Sequence, residues 1–333
     1  MKLNIFAPAL LCLLVFPTST LALGAYQLCL VETLADADSQ MTVGEVKKQC
    51  QQKTQQAAAD SMPDNDDKSA LANRLVEEKS VEDNAFVITP YMPNYFLFAS
   101  YNSADLHTAP FEQAFPGREI VMDHTEAKFQ ISFKFPIVKN LFGDNGDIYA
   151  AYTNRSFWQL YNDNSAPFRE TNHQPEAWLR FYNDWELWGI RNVINDIGMV
   201  HQSNGRSSNL SRSWNRIYAR FVFEKNDLAL AIQPWYRIKE DKANDDNPDI
   251  EDYLGNFEVI SAYKLGDHTL SLMFRNNLDF DKNRGAAQLD WSFPIHGHLR
   301  GYVQWFNGYG ESLIDYNKNV NSIGVGIKLT DWL

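Results

Sequence analysis

The sequence predicts an all-β fold: a twelve-stranded antiparallel transmembrane β-barrel with a polar, partly helical or disordered N-terminal extension. Three observations predict it. Segments of period-two alternation run for roughly ten residues, the length a tilted strand needs to cross a bilayer. Trp and Tyr crowd the segment ends, at Phe157-Trp158, Trp185, Trp188, Trp235-Tyr236, Tyr302, Trp305 and Tyr309, as suits two membrane interfaces. The chain also finishes inside a strand, Ile323 to Leu333, which can pair with the first strand and close a ring. A β-sandwich fits the same strands, and these features favour the barrel.

In chain order, residues 1–22 read as a secretory signal. Lys2 supplies the positive start, Phe6 to Phe16 the apolar core, and Thr20-Leu21-Ala22 or Ala22-Leu23-Gly24 the small residues for cleavage. A membrane anchor is the alternative, but the run is short for a span. Cys12 leaves with the signal. Cys29 and Cys50 then form either one disulfide in an oxidising compartment or two free thiols, and spacing leaves both open. Residues 23–84 form a polar periplasmic extension, helix-compatible over Val43 to Ala59 and Ala70 to Lys79, with a thin apolar stripe. The net charge of −12 repels nucleic acid and makes cations the more natural ligands.

Residues 85–333 hold the strands. Lys128 to Phe135 alternates closely, placing Phe129, Ile131, Phe133 and Phe135 on one face and Lys128, Gln130, Ser132 and Lys134 on the other. Similar segments cover Asn94 to Tyr101, Ile148 to Thr153, Glu176 to Tyr182, Trp185 to Met199, Arg216 to Phe223 and Leu228 to Ile238. They continue over Phe257 to Lys264, Thr269 to Asn276, Ala286 to Phe293, Leu299 to Phe306 and Ser322 to Leu329. In a barrel the apolar face meets lipid and the polar face, including Arg191, Asn195, Glu258 and Arg275, fills the lumen. With about twelve strands that interior is a hydrogen-bonded plug rather than an open pore. His296-Gly297-His298 reads as a polar turn, and Asp245 to Asp252 as a solvated turn without the ligand spacing of an EF-hand.

The stretch His201 to Asn215 carries the chemistry. If its two strands form a hairpin centred on Ser208, paired positions sum to 416, so His201 faces Asn215 and Ser203 faces Ser213, with all four on one face. His201 can act as base toward Ser203, and Asn215 can fix the imidazole tautomer. Because an amide does not offset imidazolium charge, a cation is a candidate for further electrostatic help. Gly205 can bring its backbone N–H to an oxyanion. By spacing alone the signal is weak, since a His-x-Ser at a strand tip is commonly a polar rim.

Longer motifs sharpen it. His201 to Arg216, Pro167-Phe168-Arg169-Glu170-Thr171-Asn172, Asp245-Asp246-Asn247-Pro248-Asp249-Ile250 and Gly308 to Asn317 together resemble the outer membrane phospholipase A family, in order and from about Pro90 onward. The resemblance implies a bacterial outer-membrane barrel that hydrolyses phospholipid acyl esters with calcium as a homodimer. It implies Ser203 as nucleophile, His201 as base, Asn215 as orienting amide and Gly205 as oxyanion donor. Calcium ligands would be the Arg206 carbonyl and Ser211, with Ser165 contributed by the partner subunit. There are departures. Asn154 stands where the family has a glutamine that meets its counterpart across the dimer. Ser208 replaces an aspartate that, with the one matching Asp246, forms a second calcium site. The loop before Ser165 is one residue shorter, and Leu333 replaces a terminal phenylalanine. The competing readings are a non-enzymatic barrel, either small porin or structural protein, and an enzyme acting on lipid A.

Overall fold

The computed structural model describes residues 25–35, 41–60, 69–82, 84, 87–241, 243 and 245–333; the expected signal, 1–22, lies outside them. One antiparallel sheet contains β1 (Thr89–Pro90), β2 (Asn94–Asn102), β3 (Thr125–Val138), β4 (Asp147–Trp158), β5 (Phe168–Leu187), β6 (Ile190–Ser203) and β7 (Ser213–Lys225). It continues through β8 (Leu228–Ile238), β9 (Phe257–Leu265), β10 (His268–Asn276), β11 (Gly285–His296), β12 (Leu299–Tyr309) and β13 (Asn319–Thr330). Strand β1 is a two-residue bridge on β3. The other twelve pair with their chain neighbours, and β13 returns to β2 with Ser322 opposite Asn102 and Lys328 opposite Tyr95, so the sheet closes and no barrel edge is left.

The ends of the barrel differ. At one end the β5–β6, β7–β8, β9–β10 and β11–β12 connections are two residues long. Each carries a left-handed residue, Trp188 and Gly189, Asn226, Gly266 and Gly297 respectively, which lets the turn follow the strand twist. The expected single strand Trp185 to Met199 is therefore two, broken at Trp188-Gly189. A tryptophan seldom adopts positive φ, so no Asn-Gly signal marked the break. His296-Gly297-His298 is the tight turn anticipated. The other end carries the long loops, among them 159–167, 204–212, 239–256 and 310–318.

Burial along β3 matches the alternation: Lys128, Gln130, Ser132 and Lys134 are buried, whereas Ile131 and Phe135 are about half exposed. Polar groups inside and apolar groups outside invert the usual soluble pattern, as a lipid-facing surface requires. Among the described residues no helix is long and apolar enough to cross a membrane. Parity misassigned some side chains. A bulge between Asn192 and Ile194 shifts β6, so Arg191 faces buried Glu224 while Asn195 faces Phe221 on the outer surface. Phe157, Trp235 and Tyr302, expected in the aromatic belts, are buried; Trp185, Trp188, Tyr236 and Trp305 are exposed.

The lumen is a packed polar core. Asp196 accepts from Arg180 at 2.9 and 3.0 Å and from Arg220 at 3.2 Å, while Tyr91 and Tyr218 donate to Glu176 at 3.0 and 2.9 Å. A cavity of about 140 Å³ remains, lined in part by Arg216, Glu258 and Arg275.

Two helices, α1 (Ala25–Ala35) and α2 (Val43–Asp60), are linked by a Cys29–Cys50 disulfide; the described residues up to Gln56 form a compact unit of their own. The third, α3 (Ala70–Val81), expected in the polar extension, belongs to the same compact unit as the barrel. Ser69 caps it by accepting from the Ala72 N–H at 3.0 Å and donates to Glu224. Leu71 and Leu75 pack on Val193 and Ile194, and Arg74 donates to the Asp331 and Trp332 carbonyls. These partners lie toward the short-turn end, so α3 stoppers that mouth.

Glu78 anchors α3 to β3 through Lys134 at 2.6 Å and pairs with Arg74 on the same helix at 2.9 Å. Burial raises its carboxyl, but those two cations prevail and hold it down at about 2. A carboxylate lowered by folding contributes stability above its unfolded pKa and loses it as pH falls through the folded one. Docking of α3 is expected to weaken on going from about pH 4.5 to pH 2, by on the order of 3 kcal/mol. Amide exchange of 70–81 across that window checks this. Protection as pH-dependent in Glu78→Gln as in the wild type would count against it.

Candidate active site

Strands β6 and β7 pair with His201 opposite Asn215 and Ser203 opposite Ser213, the register the 416 sum requires. His201, like Met199 and Ile217 nearby, lies on the exposed exterior. His201 Nδ1 is 2.8 Å from Asn215 Oδ1. An amide oxygen only accepts, so Nδ1 holds the proton and Nε2 keeps its lone pair. The Asn215 amide is itself oriented, because its Nδ2 donates to Glu240 Oε1 at 3.0 Å. Glu240 was missed in the sequence: it lies beyond the end of β8, and no local spacing relates it to Asn215.

Ser203 and His201 share a face two residues apart, without a hydrogen bond between their side chains among the described residues. Catalytic contacts of this kind commonly tighten only when substrate arrives. The loop after Ser203 is stapled by Asn204, whose Oδ1 accepts from the Arg206 and Arg212 N–H groups at 3.3 and 3.0 Å and whose Nδ2 donates to the Leu210 carbonyl at 2.8 Å. This staple holds Gly205 at φ 63° and Ser208 at φ 56°, and Ser208–Leu210 form a 3₁₀ turn. The Gly205 N–H has no acceptor among the described residues, so it is free to serve an oxyanion.

The remaining motifs build a frame beneath this hairpin. Arg169 spans Glu126, at 2.9 Å, and Asp315, at 2.7 Å. Burial pushes the Asp315 carboxyl up, but Arg169 beside it and hydrogen bonds from His107 and Ser312 hold it well below the ordinary carboxylate range. Fully buried Glu170 accepts from Asn172, from Asn204 and from the Ile314 N–H, and Asn172 accepts from the Leu313 N–H. Helix α4 (Ala109–Ala114) adds Phe111 against Leu210 and Ile314. The Asp245 to Asp252 stretch is no solvated turn: Asn247 and Ile250 are buried, and Asn247 Oδ1 accepts from the Ser213 N–H at 2.9 Å.

For a cation, Arg206 and Ser211 lie in the same loop. Ser211 Oγ donates to Asp246 Oδ2 at 2.6 Å, which sets a carboxylate beside a hydroxyl. Such hard oxygen donors fit calcium. Ser165 lies on the 159–167 loop, where its N–H donates to Asn162 Oδ1, and it lines a cleft of about 320 Å³ together with Arg206 but without Ser211. No group of three or more His, Cys, Asp or Glu side chains among the described residues is placed to hold a metal ion. Ser208, at the position where the resemblance would need a carboxylate for a second calcium site, offers only a hydroxyl.

Fold and cluster together define a class, a membrane-spanning β-barrel enzyme with its polar site on the lipid-facing wall. A family model for phospholipase A1 matches residues 71–329, which takes in α3 from Leu71 onward. Phospholipase A1 of Klebsiella pneumoniae is 40% identical over 266 residues, 79% of this chain and 88% of the relative; that of Escherichia coli K12 is 39% identical over 267 residues, 79% and 87%. Among solved structures, Escherichia coli outer membrane phospholipase A superposes with a TM-score of 0.69 at 39% identity, covering 74% of this chain and all of that one. A calcium-bound dimer of the Salmonella typhi outer membrane phospholipase gives 0.71 at 37% identity, covering 80% and 99%. The chain belongs to the phospholipase A1 family and is an outer-membrane phospholipase.

Proposed function

We propose that the protein hydrolyses acyl ester bonds of membrane phospholipids through Ser203, His201 and Asn215, as a calcium-dependent homodimer exported by a signal in residues 1–22. The observation that carries this reading is the His201–Asn215 hydrogen bond on the lipid-facing wall, with Ser203 on the same face. Ser203 Oγ adds to the ester carbonyl carbon, its proton passes to His201 Nε2, and the carbonyl electron pair moves onto oxygen beside the Gly205 N–H. Collapse expels the lysophospholipid oxygen, which takes the proton from His201. Water then attacks the acyl-serine with His201 again as base, releasing the fatty acid. Asn215, held by Glu240, keeps the imidazole in the tautomer both steps need.

Calcium would be held by the Arg206 carbonyl and Ser211, with the Asp246 carboxylate alongside and Ser165 contributed by the second copy. When bound it supplies the positive charge that the amide of Asn215 lacks. The calcium-bound dimer of the Salmonella typhi relative supports calcium as the ion and the dimer as the assembly. The test is ester hydrolysis by the refolded protein in mixed micelles, titrated with calcium and paired with crosslinking. Chelation is expected to suppress hydrolysis at least about 100-fold, comparable to losing oxyanion stabilisation, and activity should follow the crosslinked dimer. Hydrolysis indifferent to calcium and association would overturn the mechanism. Ion conductance without hydrolysis would support a porin instead.

A further inference from the structure

The strand register puts Ile131, Asn154, His173, Ser203 and Ser213 side by side across β3 to β7. Polar side chains thus cross a wall whose neighbouring positions, Ile131, Met199 and Ile217, are exposed and apolar. The triad uses Ser203, and His173 directly opposite it is unaccounted for. His173 Nδ1 lies 2.6 Å from the Tyr152 hydroxyl and 3.3 Å from Asn154 Nδ2. The Asn154 amide is oriented by Ser156, whose hydroxyl donates to Oδ1 at 3.1 Å. An amide nitrogen only donates, so His173 Nδ1 is the acceptor and the ring proton resides on Nε2. That edge of the ring borders the oxyanion glycine: a Cβ at Gly205 would sit 3.6 Å from His173 Cδ2 and 3.7 Å from Nε2.

We propose that His173 is a further catalytic residue, its Nε2–H donating a hydrogen bond to the scissile carbonyl oxygen beside the Gly205 N–H. Tyr152 and Asn154 are positioning residues that hold the required tautomer. The assignment rests on the Ser203 mechanism above. As Ser203 adds and the carbonyl pair moves onto oxygen, His173 shares its proton in a hydrogen bond without transferring it. The bond weakens when the carbonyl re-forms. A donor aimed at charge that develops only in the transition state raises kcat and leaves substrate affinity nearly alone. Asn154 is then engaged by His173 and Ser156 within its own chain.

The test uses the refolded full chain with calcium, comparing wild type, His173→Phe, His173→Gln, Tyr152→Phe and Ser203→Ala. Readouts are kcat, KM, the crosslinked dimer and the rate at which an alkyl fluorophosphonate labels Ser203. In His173→Phe both kcat and the labelling rate are expected to fall roughly 10- to 100-fold, with KM within about twofold and the dimer unchanged. His173→Gln, which restores an N–H donor, should recover part of the loss, and Tyr152→Phe should lose about threefold to tenfold. Wild-type kcat in Tyr152→Phe and in whichever His173 variant refolds overturns the proposal, as does a loss that tracks the dimer or KM alone. If Ser203→Ala hydrolyses at the wild-type rate, the functional reading fails; if it is inactive while His173→Phe is not, only this inference fails.

Discussion

Ser203→Ala is expected to lower phospholipid ester hydrolysis about 10⁴-fold or more while leaving barrel and dimer intact. No other hydroxyl takes its place: Ser213, on the same face, is one strand over and its backbone is tied to Asn247. The Ser203 side chain carries no hydrogen bond among the described residues, so removing its hydroxyl disturbs no packing. Fatty-acid release in calcium-containing micelles, with heat-modifiable gel mobility as the folding control, reads the result. A loss of less than about tenfold would remove Ser203 from the nucleophile's role.

Arg169→Met should unfasten the frame beneath the hairpin and cost about 3–5 kcal/mol of local stability, because Glu126 and Asp315 are left without their shared cation. Asp315 would lose the interaction that outweighs its burial, and the 310–318 loop would lose one of its ties to β5. That loop also supplies the Leu313 and Ile314 N–H groups to Asn172 and Glu170, and Glu170 in turn receives Asn204, the staple of the catalytic loop. Activity is expected to drop about 10- to 100-fold, as displaced catalytic groups produce. Hydrogen exchange should rise in 204–212 and 310–318 and stay constant in the strands. Adding Asp315→Asn should restore part of the loss. Exchange that rose uniformly, or did not rise in those loops, would contradict the frame.

The His201 to Asn215 hairpin was legible because it is local. Strand parity and a turn centre suffice to bring His201, Ser203 and Asn215 onto one face, and the structure adds only the loop conformation. The Arg169, Glu170 and Asp315 motifs were visible as a family likeness, but their work was not. Their partners lie across the barrel mouth, where only closure of the sheet brings them together. Glu240 and His173 escaped for a related reason: one lies in a loop, and the other is a single imidazole whose meaning comes from cross-strand neighbours.

Strand length, aromatic strand ends and alternation together pointed to the barrel class; alternation set the inside and outside of β3 and, with the turn centre, the register of His201 and Asn215, since side-chain direction in a strand follows position along the chain. Alternation could not find the Trp188-Gly189 turn, the bulge that moves Asn195 outward, or the inward turn of Trp235 and Tyr302. Nor could it dock α3 in the short-turn mouth. Those were decided by tertiary structure, because each depends on what lies across the sheet or inside the lumen.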